Sequence, residues 1–219
     1  MNASPITPRT AESTTPAERI GGWVQVPRIP PGTPHRGNPI LQRIMIALLR
    51  LTGWRFTGTD FPDVPRMVLI VAPHTSNWDF PLGVMAMYAL RIRGTYLGKH
   101  TLFRFPLGIL MRFLGGVPVD RSASQDVVEQ TVAIARGMDR AIIVLAPEGT
   151  RQLTPRWKSG FYRIAQQGGM PIFPVAFDYA HKEIRFFPLF HPTGDLEADL
   201  AALRANFTPQ MARYPAQYA

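Results

Sequence analysis

Two short runs of unbroken apolar residues, MVLIVA at 67–72 and AIIVLA at 141–146, constrain this chain more than any other feature. A six-residue run without polar alternation fits a β-strand covered on both faces. Further strand-like runs are TYLG at 95–98, VPV at 117–119, PIFPVAF at 171–177 and EIRFFPLF at 183–190. Helical patterns lie between them: PLGVMAMYALRI at 81–92, LFRFPLGILMRFLGG around Pro106, QDVVEQTVAIARGMDR at 125–140 behind a Ser122/Gln125 capping box, and GFYRIAQQGG with a glycine stop. A last helix, DLEADLAALRANF, starts behind Asp195 as its cap. Strand–helix alternation of this kind predicts an α/β fold: a single domain with a largely parallel central sheet flanked by helices.

The chain before this region reads differently. Residues 1–38 are rich in Pro, Thr and Gly without periodicity, which predicts a flexible N-terminal tail. Residues 39–219 then form the domain. Its first helix is predicted at Pro39–Leu51, with Asn38 as N-cap and Pro39 at the first helical position. Ile40, Ile44, Ala47, Leu48 and Leu51 make one apolar stripe, Ile46 and Leu49 widen it, and Arg43 and Arg50 flank it. Such a segment, 39–55, can dock on the domain or lie on a lipid surface as an amphipathic helix. No apolar run reaches the length of a membrane span, and no secretory leader pattern is present.

The 219 residues include no cysteine, so disulfides are excluded. The net charge is +9 and almost all of the positive charge is arginine, since only Lys99, Lys158 and Lys182 are lysines. Such a surface favours phosphate-bearing partners without choosing among lipid, nucleic acid and small molecule. The histidines lack metal-ligand spacing, so no zinc site is expected, and no Walker loop or GxGxxG is present.

In parallel α/β sheets, sites collect where strands end. The first apolar run exits into PHTSNWD, TYLG into Lys99-His100, VPV into Asp120-Arg121, and AIIVLA into PEGTR. Parallel strands would bring these exits to one edge. His74 and Asp79 are too far apart in phase to meet on one helix, so they must share a turn, with Asp79 capping the helix that carries Pro81. A carboxylate on one imidazole nitrogen leaves the other free to take a proton. Taken alone, a capping aspartate beside an incidental loop histidine gives the same pattern. In EGTR, Gly149 permits close backbone approach, Thr150 offers a hydroxyl and Arg151 a fork for phosphate. A strand-to-loop turn with a surface arginine is the plainer alternative there.

Together the blocks HTSNWD, GGVPVDR, EGTR and PIFPVAF, in that order over 68–177, resemble the glycerolipid acyltransferases of the 1-acylglycerol-3-phosphate (lysophosphatidic acid) type. The resemblance implies that His74 is a general base and Asp79 its orienting carboxylate. It implies that Lys99, Arg121, Gly149 and Arg151 hold an acceptor phosphate, with Glu148 and Thr150 in support. Glu148 is expected to hold Arg151 or an acceptor hydroxyl. The implied reaction moves a fatty acyl group from acyl-CoA or an acyl carrier protein thioester to a lysolipid hydroxyl. The thioester is a co-substrate; no cofactor or metal is expected to be bound. The implied partners are the donor, the lysolipid acceptor and an anionic membrane surface, not nucleic acid, and the implied location is peripheral, at the cytoplasmic face. Rival readings are an acyltransferase for a lyso-aminolipid, glycolipid or alcohol, a hydrolase built on His74 and Ser76, and a basic lipid- or nucleic-acid-binding module without catalysis. HTSNWD lacks the G-x-S-x-G elbow that would expose a nucleophile.

Overall fold

The computed structural model describes residues 25–119 and 124–218. Seven strands form one sheet: β1 (Arg55–Gly58), β2 (Arg66–Ala72), β3 (Gly94–Lys99), β4 (Gly116–Val119), β5 (Ala141–Leu145), β6 (Ile172–Asp178) and β7 (Glu183–Phe186). Their order across the sheet is β1-β7-β6-β2-β5-β3-β4. Every pairing is parallel except β6 with β7. The predicted α/β domain with a largely parallel sheet is therefore the observed fold.

The two apolar runs are the two central strands, β2 and β5, paired in register Arg66↔Ala141 to Ile70↔Leu145. Alternate residues of β2 feed opposite faces. Val68, Ile70 and Ala72 belong to one core cluster, Met67 and Leu69 to the other. The first cluster is covered by α4 (Ser124–Arg136), α5 (Gly160–Gly168) and α6 (Leu196–Arg204), through residues such as Val132, Tyr162 and Leu203. The second is covered by α1 (Pro39–Leu51) and α2 (Asp79–Ala89), through Leu49, Leu82 and Ala86. α3 (Leu107–Phe113) lies near β4 at the sheet margin.

Local signals set several element ends as expected. Asn38 accepts from the amides of Ile40 and Leu41 and caps α1. Asp195 accepts from Ala198 N–H and caps α6. Gly169, at φ +61, ends α5 in the left-handed conformation. Other expectations need correction. The pattern around Pro106 is a 3-10 turn at His100–Phe103 followed by the shorter α3, because proline supplies no amide for a continuous helix. β7 stops at Phe186, and Phe190 makes only an isolated bridge to Ile172. β1 was not expected; its RFTG sequence is short and only Phe56 is buried. Ser122 and the Gln125 side chain of the expected capping box lie outside the described residues.

The predicted tail does not extend to residue 38 as an unattached segment. Val26 is buried in the α1/α2 core cluster, Thr33 is buried, and Arg36 N–H donates to Arg91 O at 2.8 Å. Residues 25–38 thus lie on the domain; residues 1–24 lie outside the described residues. In α1 the side facing the core is also not the predicted stripe. Ile46 and Leu49 are buried, whereas Ile40, Ile44, Ala47, Leu48 and Leu51 face solvent, Leu51 with 84 % exposure. α1 has two apolar faces, and the domain uses the narrower one.

Candidate active site

β2, β5, β3, β4 and β6 run in one direction, so their carboxyl ends share one edge of the sheet. At the centre of that edge, β2 releases the loop that carries His74. The turn at 73–78 brings His74 Nδ1 to 2.9 Å from Asp79 Oδ2. Asp79 is 3 % exposed. The expectation that it caps α2 is corrected: Trp78 occupies the cap position, with no side-chain cap bond, and Asp79 is the first helical residue. Its carboxylate is already satisfied from behind. Oδ2 accepts from Ser76 N–H at 2.9 Å, and Oδ1 accepts from the Tyr179 hydroxyl at 2.6 Å. Three partners from two segments, the 73–78 turn and Tyr179, therefore fix one carboxylate at a helix N-terminus, where negative charge is favoured. An ionised carboxylate only accepts, so His74 carries its proton on Nδ1 and presents Nε2 as the basic nitrogen.

The neighbouring strand β5 releases Glu148, which is 4 % exposed. Its Oε1 accepts from His74 N–H at 2.9 Å. Among the described residues, Oε2 has no hydrogen-bond partner. Burial raises the pKa of this carboxyl, and the His74 amide bond only partly offsets that. The expected hold on Arg151 is replaced by this bond: no ion pair joins Glu148 to Arg151 among the described residues. The reason is direction. The acid points back toward β2, while Arg151 lies three residues farther out and is exposed. Gly149 has φ +63, a conformation that calls for glycine, while the nearest atoms a Cβ would meet belong to the flexible end of Lys158. Thr150 Oγ1 accepts from Gln152 N–H at 3.2 Å.

An open cleft of about 660 Å³ runs beside these loops, with Thr75, Ser76 and Trp78 on one side and Thr150 and Arg151 on the other. The structure thus brings His74, Asp79, Glu148, Gly149, Thr150 and Arg151 to one place. Lys99 is the last residue of β3 at the same sheet edge, but its side chain is outside what is described; Arg121 is outside the described residues altogether. Among the described residues, no group of three or more His, Asp or Glu side chains is arranged to hold a metal.

Tyr179 was not found from the sequence. It follows β6 directly, and β6 pairs with β2 on the side away from β5. Reading the exit of PIFPVAF as the other exits were read would have placed it at the same edge. Burial raises the pKa of its hydroxyl, and the bond to Asp79 raises it further, so it stays a donor. Its ring meets Trp54 edge to face at 5.0 Å, which holds it in place.

A family model described as Acyltransferase matches residues 55–178, from β1 through β6. The chain belongs to the acyltransferase family. This acyltransferase is 30 % identical over 132 residues to a 1-acyl-sn-glycerol-3-phosphate acyltransferase of Haemophilus influenzae, covering 57 % of this chain. The chain spans about half, 53 %, of the length of that curated relative. The crystal structure of PlsC, a 1-acyl-sn-glycerophosphate (LPA) acyltransferase from Thermotoga maritima, shares the fold with a TM-score of 0.54. That similarity covers 76 % of each chain at 15 % identity.

Proposed function

We propose that this acyltransferase moves a fatty acyl group from a thioester, acyl-CoA or acyl carrier protein, to the hydroxyl of a lysophospholipid-type acceptor, with 1-acylglycerol-3-phosphate as the first substrate to test. The observation that carries this is the 2.9 Å His74 Nδ1–Asp79 Oδ2 contact, which brackets the residues Thr75, Ser76 and Trp78 of a cleft that Arg151 lines from the neighbouring loop. Family membership and the 1-acyl-sn-glycerol-3-phosphate activity of the Haemophilus relative support it.

In this reading His74 Nε2 takes the proton of the acceptor hydroxyl. The freed oxygen attacks the thioester carbonyl and a C–O bond forms. The resulting tetrahedral oxyanion collapses, the C–S bond breaks, and the imidazolium returns its proton to the leaving thiolate. Asp79 steadies the imidazolium while it carries charge. The Arg151 guanidinium takes the acceptor phosphate by charge-assisted bonds, each contributing roughly 1.5–3 kcal/mol. Gly149 lets the backbone approach, and Lys99 and Arg121 serve as further phosphate ligands.

The acceptor is a lipid, so contact with a membrane surface belongs to the same proposal. The outward apolar stripe of α1 supports it, as does a second exposed group at Phe105, Ile109 and Phe113 interleaved with Arg104 and Arg112. Among the described residues no helix is long and apolar enough to cross a membrane, and peripheral attachment at an anionic, cytoplasmic face is the form proposed.

The test is thiol release from acyl-CoA against a panel of lysophospholipids, a glycolipid and long-chain alcohols, with wild type and His74→Ala side by side. Wild type is expected to turn over the phosphate-bearing acceptor best. His74→Ala should lose at least 1000-fold in kcat at an unaltered melting temperature. Full turnover in that variant would remove the base role.

A further inference from the structure

Residues 209–218 follow the last helix and lie beyond residue 178, where the family match ends. They fold as two short 3-10 turns, Pro209–Met211 and Pro215–Gln217, anchored by the buried Met211, Ala212 and Tyr218. What they touch is the site. Tyr214 N–H donates to Thr75 Oγ1 at 3.2 Å, in the loop between His74 and Asp79. With its amide nitrogen turned toward them, Gln217 donates to Thr75 O at 2.9 Å and to Arg151 O at 2.8 Å. One side chain therefore bridges the loop after β2 and the loop after β5.

Two further contacts point the same way. The Arg213 guanidinium carbon lies 5.4 Å from the Trp78 ring centre, 5.7 Å from that of Tyr179 and 5.8 Å from that of Tyr214. Tyr179, whose hydroxyl holds Asp79, also donates its backbone N–H to Met211 O at 2.9 Å. Tyr214 and Gln217 both line the cleft of about 660 Å³, together with Thr75 and Arg151. The hydrogen bonds of Tyr214 and Gln217 thus go to the two loops, and both residues are exposed.

We propose that residues 209–218 form a specificity-setting wall of the active site, in which Gln217 ties the His74 and Arg151 loops together and Tyr214 contacts the bound acceptor. This rests on the acyl-transfer reading for the identity of the acceptor, but not for the tie between the loops. The ring of Tyr214 and the amide of Gln217 are uncharged, so they contact the neutral part of the acceptor next to the phosphate, the glycerol or its counterpart. Acceptors that carry the same phosphate on different alcohols are then distinguished here, where Arg151 alone treats them alike.

The test uses the full chain with Gln217→Ala, Tyr214→Ala and Tyr214→Phe, all changes at exposed positions. Two quantities are measured: hydrogen exchange at residues 74–79 and 148–152, and kcat/KM for two phosphomonoester acceptors, 1-acylglycerol-3-phosphate and glycerol 3-phosphate, with one acyl-CoA. Gln217→Ala is expected to speed exchange in both loops about tenfold. Tyr214→Ala is expected to change the ratio of kcat/KM between acceptors about fivefold, with KM for acyl-CoA unchanged, and Tyr214→Phe to restore the wild-type ratio. Unaltered exchange in either loop overturns the tie. Loosened loops with an unchanged acceptor ratio overturn the specificity role. Wild type that releases no thiol with any acceptor refutes the acyl-transfer reading and with it Tyr214's role, while the exchange measurement still decides the tie.

Discussion

Residue by residue, the site is built of side chains hydrogen-bonded to one another or to the backbone of a neighbouring loop. Tyr179 shows this most plainly, since its hydroxyl reaches Asp79 at 2.6 Å from the turn that follows β6, 100 residues away in sequence. Tyr179→Phe keeps the ring against Trp54 and removes only that donor. It is expected to lower kcat about tenfold with KM for both substrates unchanged, as steady-state kinetics would show. Glu148 makes a different kind of prediction. Its pKa is raised by burial, so the folded state prefers the protonated carboxyl more than the unfolded state does. That preference contributes stability below the unfolded pKa, and the contribution is lost as pH rises through the folded pKa. Glu148→Gln cannot ionise, so its melting temperature is expected to gain on wild type as pH is raised from 4 to 8, even as activity falls. A constant difference across that range would contradict the raised pKa. The His74 and Asp79 contact was legible in the sequence because a strand exit and five-residue spacing force a turn. Tyr179 was not, because its partner lies 100 residues away and nothing local marks a tyrosine as a donor.

Elements were legible to the degree that one face of each was buried. β2 and β5 read as strands because both of their faces meet helices, whereas β1 at the margin buries a single side chain and left no pattern. α1 was legible as a helix through its cap and its periodicity, yet periodicity cannot say which apolar face meets the core when there are two. Ile46 and Leu49 take the inner side, where each contributes roughly 1.5–3 kcal/mol by burial. The outer stripe is only partly covered by the domain, with Leu51 and Ile40 largely in solvent, and is open to another surface. Ile44→Glu combined with Leu51→Glu should therefore leave the melting temperature within a few degrees of wild type. The same pair is expected to weaken sedimentation with vesicles of phosphatidylcholine and phosphatidylglycerol about tenfold or more, since charged groups replace inserted apolar ones. Turnover of a short-chain, water-soluble acceptor should not change. Equal vesicle binding by wild type and the double variant would exclude α1 as the contact.

For the molecule as a whole, the sheet divides into a working part and a bracing part. β1 and β7 run against the other five strands, and their margin is held by charge. Glu183 receives Arg55 at 3.1 Å through Nε, Thr57 at 3.1 Å and Arg185 at 2.7 Å. Burial alone would raise its pKa, but these donors outweigh burial and bring it from 4.5 down to about 2. A depressed pKa gives stability that is present above the unfolded value and is lost as pH falls through the folded one. The window is about 4.5 to 2, where the net charge of a chain already at +9 climbs further. Glu183→Gln is expected to be less stable than wild type at pH 7 and to converge with it near pH 2, as denaturant titrations at several pH values would reveal. The placement of β2 between β5 and β6 has a separate consequence. His74, Asp79, Tyr179 and Glu148 all follow three adjacent central strands, β2, β6 and β5, away from the connections at the two outer rims. In a chain organised this way a rim loop can change in length or sequence while those four side chains keep their contacts with one another.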